Sequence, residues 1–180
     1  MNTISIFVSL AASAMIIFTV IFVLVKDWQD QVMRYFAFFA TSALGILFTM
    51  FLTYSFPENF DLTLMNKITQ LSTLMTFSSL FCMSFVFPKT AQRFPFWKSF
   101  LILVPAIAVG TTVVLTDFTI TKAYFKDGKF IRDFNKDIPG YTIYAALAFI
   151  YVLSALGGYV RKYIITKEYI YRLQMRYLFV

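Results

Sequence analysis

The chain has 180 residues, of which 59% are hydrophobic and only 14% charged, with a net charge of +7, no histidine and one cysteine. Soluble domains average about half apolar and a quarter charged residues, and the buried helices of a soluble all-α bundle keep a polar face; stretches such as Ile16–Val25 and Leu101–Val109 offer none. The missing histidine and lone Cys82 argue against haem, most transition-metal sites, an internal disulfide framework and Ser-His or Cys-His nucleophile pairs, so no catalytic residue, metal or cofactor is expected.

Five apolar stretches without an interior charge, Ile4–Val25, Tyr35–Phe56, Ile68–Phe87, Ser99–Thr116 and Ile138–Val160, each have about the length an α-helix needs to cross a hydrocarbon core roughly 30 Å thick. The predicted fold is an all-α polytopic transmembrane bundle. The first stretch lacks the basic n-region of a signal peptide and is too long for a typical h-region. It reads as an uncleaved anchor held by Lys26 and Arg34, followed by a short turn with Trp28 at headgroup depth.

In the second span Thr41, Gly45, Thr49 and Thr53 recur every four residues, the small-xxx-small spacing that lets helix backbones approach. The third carries a broader stripe, Thr69, Ser72, Thr73, Thr76 and Ser79, with Gln70 near its beginning and Cys82 in mid-membrane. Pro88 and Pro95 bracket the next connection, ending one helix and preceding another, and the fourth span contains Pro105. Short connections make consecutive helices antiparallel neighbours.

The long loop Asp117–Asp137 places Asp127-Gly128 between two partly alternating segments, a signal for a β-hairpin with a type I′ turn. A small hairpin is expected there, either a lid whose aromatic face of Tyr124, Phe125, Phe130 and Phe134 covers a ligand, or a loop resting on the membrane surface. In the fifth span Ser154 and Gly158 repeat the small-residue pattern. A basic stretch, Arg161 to Arg176, then leads to a new apolar run at Tyr177, so the chain reads as a fragment ending at the start of a sixth span.

The first, third and fifth connections hold ten Lys and Arg against three acids, and the second and fourth hold six of each. By the positive-inside rule the odd connections are cytoplasmic and the amino terminus lies outside. Topology demands this surplus; anionic lipid or nucleic acid is the sharper alternative, and no nucleic-acid partner is expected. No span carries the interior carboxylate that a proton relay or coupling-ion site needs.

Two uses of the polar and aromatic residues remain open. Tyr54, Gln70, Thr73, Tyr124, Phe130, Tyr141 and Tyr144 could line a pocket for a small-molecule or lipid-like ligand at the outer helix ends. The stripe Thr41, Gly45, Thr49, Ser72, Thr76, Ser154 and Gly158 is explained by helix packing alone, because Ser and Thr can also bond their own helix carbonyls.

The run Arg172-Leu173-Gln174-Met175-Arg176-Tyr177 resembles the basic linker that enters the sixth helix in the amino-terminal seven-transmembrane region of bacterial sensor histidine kinases. Phe87-Pro88, Pro105 and the long segment before a Tyr- and Gly-containing fifth span agree with that resemblance. It implies a single transmembrane sensory domain over residues 1–180 in a bacterial inner membrane. It further implies a homodimer, two more spans and cytoplasmic kinase domains. Without histidine the chain itself cannot carry the phosphoacceptor. A scaffold subunit and, less favoured, a transporter fragment are the alternatives.

Overall fold

The computed structural model describes residues 13–21, 25, 30–87 and 94–165. Trp28, Pro88, the Arg172–Tyr177 run and the start of the sixth span lie outside the described residues, as does much of the first predicted span, of which residues 13–21 are helical. The remainder is mostly helical: α1 (Gln31–Ser55), α2 (Leu62–Val86), α3 (Phe96–Leu115), a hairpin of β1 (Ile120–Lys126) and β2 (Lys129–Phe134), and α4 (Gly140–Ile165). All four helices are long and apolar enough to cross a membrane, which makes the chain a multi-pass membrane protein by helix length and composition.

Three helices begin earlier than hydropathy predicts: α3 at Phe96, directly after Pro95, instead of Ser99, and α1 and α2, where the cause is side-chain capping. Asp30 accepts from the Val32 N–H at 2.8 Å, and Asp61 accepts from the Thr63 and Leu64 N–H groups at 2.9 and 3.2 Å. Each carboxylate satisfies donors that the first helical turn leaves without partners. These two helices therefore start at Gln31 and Leu62, not Tyr35 and Ile68, and α2 takes in the polar residues Asn66 and Lys67. At the carboxyl end α4 runs beyond the predicted Val160 to Ile165.

Among the described elements α2 is the hub, packing against α1, α3, α4 and β1. Its buried residues are largely polar: Asn66, Lys67, Gln70, Thr76, Ser78, Ser79 and Ser84 lie inside with Leu74, Cys82, Met83 and Val86. The outward faces carry Phe48, Phe100, Phe149 and Leu153. A soluble protein seldom exposes apolar surface so continuously, whereas in lipid, association depends on packing and hydrogen bonds between helices.

Where α2, α3 and α4 meet, Leu74, Ala106, Val113, Tyr144, Ala148 and Tyr151 form the apolar core. Pro105 lies inside α3, where its ring leaves the carbonyl four residues back without an N–H. One residue further on, the Ile102 carbonyl accepts the Tyr151 hydroxyl at 2.5 Å. That bond ties α4 to α3 beside the proline.

The hairpin turns at Asp127 and Gly128, with φ of 51° and 72°, the positive pair a type I′ turn requires. Its antiparallel register pairs Phe125 with Phe130 and Tyr124 with Ile131. Successive strand residues point to opposite faces, so Tyr124 lies across the sheet from Phe125. The single aromatic face expected from sequence is corrected accordingly.

Candidate functional site

The hairpin covers the end of the bundle formed by the carboxyl end of α1 and the amino end of α2. Thr63, Lys67 and Gln70 recur at helical spacing on one face of α2, and each meets the chain entering or forming β1. The Thr63 hydroxyl accepts from the Ala123 N–H at 3.1 Å. Lys67 Nζ lies 2.7 Å from Asp117 Oδ1, and the buried Thr119 hydroxyl donates to Gln70 Oε1 at 2.7 Å. Asn135 closes the other side, its Nδ2 donating to the Asp117 carbonyl at 2.7 Å and its N–H to the Thr119 carbonyl at 3.1 Å.

Two aromatic groups flank this latch. Tyr54 stands with its ring 5.8 Å from Phe125 and 5.9 Å from Phe130. On the α4 side the Tyr141 ring lies tilted 4.6 Å from Phe134 and stacks at 6.1 Å on Tyr144, and the Tyr144 hydroxyl lies beside Thr73. Of the seven predicted pocket residues, Tyr54 and Phe130 thus share one group, and Tyr141, Tyr144 and Thr73 share another. Gln70 is engaged by the hairpin stem. Tyr124 stands apart under the Lys122 ammonium, 5.9 Å from its ring centroid.

The predicted packing residues divide as well. A Cβ on Gly45 would meet Ser72 Oγ at 2.8 Å and one on Gly158 would meet Ser84 Oγ at 2.7 Å, so α1 and α4 touch α2 at those points. Thr49 bonds Thr69 across the α1–α2 contact at 2.8 Å. Thr76 is buried and bonds the Ser72 carbonyl at 2.8 Å, Ser154 is half-buried, and Thr41 is exposed. Thr69, Thr73, Ser79 and Ser84 also donate to carbonyls of their own helix.

Sequence patterning missed three features. Gly140 is buried so closely that a Cβ there would lie 1.8 Å from the Phe118 carbonyl oxygen. At the opposite end Lys162 Nζ donates to the Phe85 and Phe87 carbonyls at 2.7 and 3.0 Å, a cation on the carbonyl end of α2. Also at that end, a cleft of about 230 Å³ opens between α1 and α3, lined by Arg34, Tyr35, Phe38, Ser99 and Leu103 among others. Its walls are joined by the Gln31 amide, which bonds the Phe94 carbonyl and N–H at 3.0 Å each, and by the Tyr35–Ser99 hydroxyl pair.

Among the described residues no three His, Cys, Asp or Glu side chains are grouped to hold a metal ion. The hairpin end instead offers amide, hydroxyl and aromatic groups, which recognise by hydrogen bonding and stacking. Compared with protein-family models, characterised proteins and solved structures, the chain gives no match.

Proposed function

We propose that this chain is the membrane-embedded input module of a sensor histidine kinase. A small-molecule or lipid-like ligand binds at the hairpin end, and the rearrangement passes to cytoplasmic kinase domains outside the chain. The observation that carries the reading is the latch of Thr63, Lys67 and Gln70 onto the hairpin stem. The hairpin is thereby bonded to the helix that packs against α1, α3 and α4, and the far end of that helix is held by Lys162. A ligand that prefers one arrangement of the latch over another shifts the helix populations; one that binds both equally transmits nothing.

In this proposal the amino terminus and the hairpin face outwards across a bacterial inner membrane, the odd-numbered basic connections face the cytoplasm, and the module works as a homodimer. Tyr54, Phe130, Tyr141 and Tyr144 contact the ligand, and Gln70 exchanges Thr119 for it.

A scaffold subunit is favoured by a different observation. The hydroxyls of Thr69, Thr73, Thr76 and Ser79 are satisfied within their own helix, so the polar stripe needs no ligand. Autophosphorylation of the full-length protein in vesicles, with and without Gln70→Leu, separates the two. A changed rate with an unchanged oligomeric state supports the sensory reading; lost assembly alone supports the scaffold. A natural coding sequence with no kinase region beyond Val180 removes the sensory reading.

A further inference from the structure

The cleft at the end opposite the hairpin has a chemistry of its own. Gln31, Arg34, Tyr35 and Phe38 lie on one face of α1, and Phe96, Ser99 and Leu103 on one face of α3, each set at helical spacing. From the helix end inwards the α1 wall passes from amide and guanidinium, through the Tyr35 hydroxyl, to Phe38, while the α3 side runs from Phe94 and Phe96 past the Ser99 hydroxyl to Leu103. The α1 wall has the polarity gradient of an amphiphile, and the α3 side is mostly apolar. The Gln31–Phe94 and Tyr35–Ser99 bonds fix the two walls relative to each other.

Size narrows the occupant. At about 230 Å³ the space exceeds the ~150 Å³ apolar cavity that takes up benzene and falls below the ~300–1,000 Å³ of pockets that enclose a whole drug-sized ligand. It suits one segment of a chain whose remainder lies elsewhere. In a bundle that crosses a bilayer, the helix ends lie where headgroups meet acyl chains. Trp97, 59% exposed beside the cleft, and Lys98, 5.5 Å from its ring centroid, are residue types of that interface. The Arg34 guanidinium has five N–H donors, enough to hold a phosphate alongside the contacts it makes.

We propose that this cleft binds an anionic phospholipid of the surrounding bilayer, its phosphate on Arg34 and one acyl chain between Phe38 and Leu103. The site lies at the other end of the bundle from the latch, so it stands or falls independently of the sensory reading.

The test reconstitutes the whole chain in phosphatidylcholine vesicles and compares spin-labelled phosphatidylglycerol with spin-labelled phosphatidylcholine by the motionally restricted fraction. The wild type is expected to prefer phosphatidylglycerol. Arg34→Gln lowers that preference about fivefold, the worth of one cation near an anionic membrane surface. Lys98→Gln, at the same level outside the cleft, leaves it within twofold, and Leu103→Phe, which fills the apolar depth, reduces retention of both lipids. No preference in the wild type overturns the proposal, and so does an equal loss in Arg34→Gln and Lys98→Gln, which would mark general surface charge. Displacement of the restricted lipid by inorganic phosphate alone would assign the site to a free anion and overturn the lipid.

Discussion

At the hairpin end, two buried polar groups of α2 are met by side chains of the hairpin stem, Gln70 by Thr119 and Lys67 by Asp117. At the opposite end the acceptors are mostly backbone carbonyls, Phe94 for Gln31 and Phe85 and Phe87 for Lys162, and a cleft remains beside them. The difference has a physical consequence. A bond between two side chains can be altered from either partner and exchanged for a ligand group, whereas a carbonyl acceptor is the same whatever residue carries it. The hairpin end is accordingly specific and tightly filled, and the other end is anchored but roomy.

Overpacking the hairpin end should produce the largest change. In Gly140→Ala the new methyl meets a backbone carbonyl, not the flexible end of a side chain, so α4 or the strand entry must shift. A loss of about 1–3 kcal/mol is expected, measured by unfolding in detergent. Gly157→Ala, with nothing within 4 Å of its Cβ, should stay within about 0.5 kcal/mol. Equal losses would mean that the hairpin end is no tighter than the lipid-facing side of α4.

Gln70→Leu comes next. It leaves the Thr119 hydroxyl buried without its acceptor, a cost of about 1–2 kcal/mol, and Thr119→Val in the same chain should recover part of it because neither group then remains unsatisfied. A double-mutant cycle measures the coupling. Strict additivity would break the idea of a side-chain latch.

Much of this contrast is invisible in the sequence, for reasons that differ between residues. The four long helices follow from uncharged apolar runs, and the turn follows from Asp127-Gly128, because both signals are local. Helix starts are displaced to Gln31 and Leu62 because hydropathy records where a helix becomes apolar, while Asp30 and Asp61 decide where it begins. Gln70 stands out as an amide in an apolar run, but Thr119, its partner 49 residues away, carries no mark of its own. Treating Tyr124 and Phe125 as one face overlooked strand alternation. Gly140 and the cleft depend on how separate helices and loops approach, which no single stretch encodes.

Lys67→Met should have a smaller effect than Gln70→Leu. Its ammonium is buried, but Asp117 remains 64% exposed, so water and salt compete for the pair. About 0–1 kcal/mol is expected, shrinking as ionic strength rises and the Debye length shortens. Lys162→Met, at the opposite end, loses interactions with carbonyl dipoles and no ion pair, for about 0.3–1 kcal/mol. Both losses follow from unfolding measured at low and high salt. A Lys67 effect that is large and indifferent to salt would show that the latch excludes water fully.

The smallest expected change is the one that most directly contrasts the two ends. Leu103→Phe adds ring atoms to the α3 wall of a space of about 230 Å³, where they can fill existing volume without pushing α1 and α3 apart. The Gln31–Phe94 and Tyr35–Ser99 bonds should survive, and unfolding in detergent should shift by no more than about 0.5 kcal/mol. Gly140→Ala adds a single methyl and is expected to cost more, because available volume and not side-chain size sets the sign of an overpacking effect. Should Leu103→Phe destabilise the chain as much as Gly140→Ala, α1 and α3 would have to be in contact along that face, and the roomy end would be as closely packed as the hairpin end.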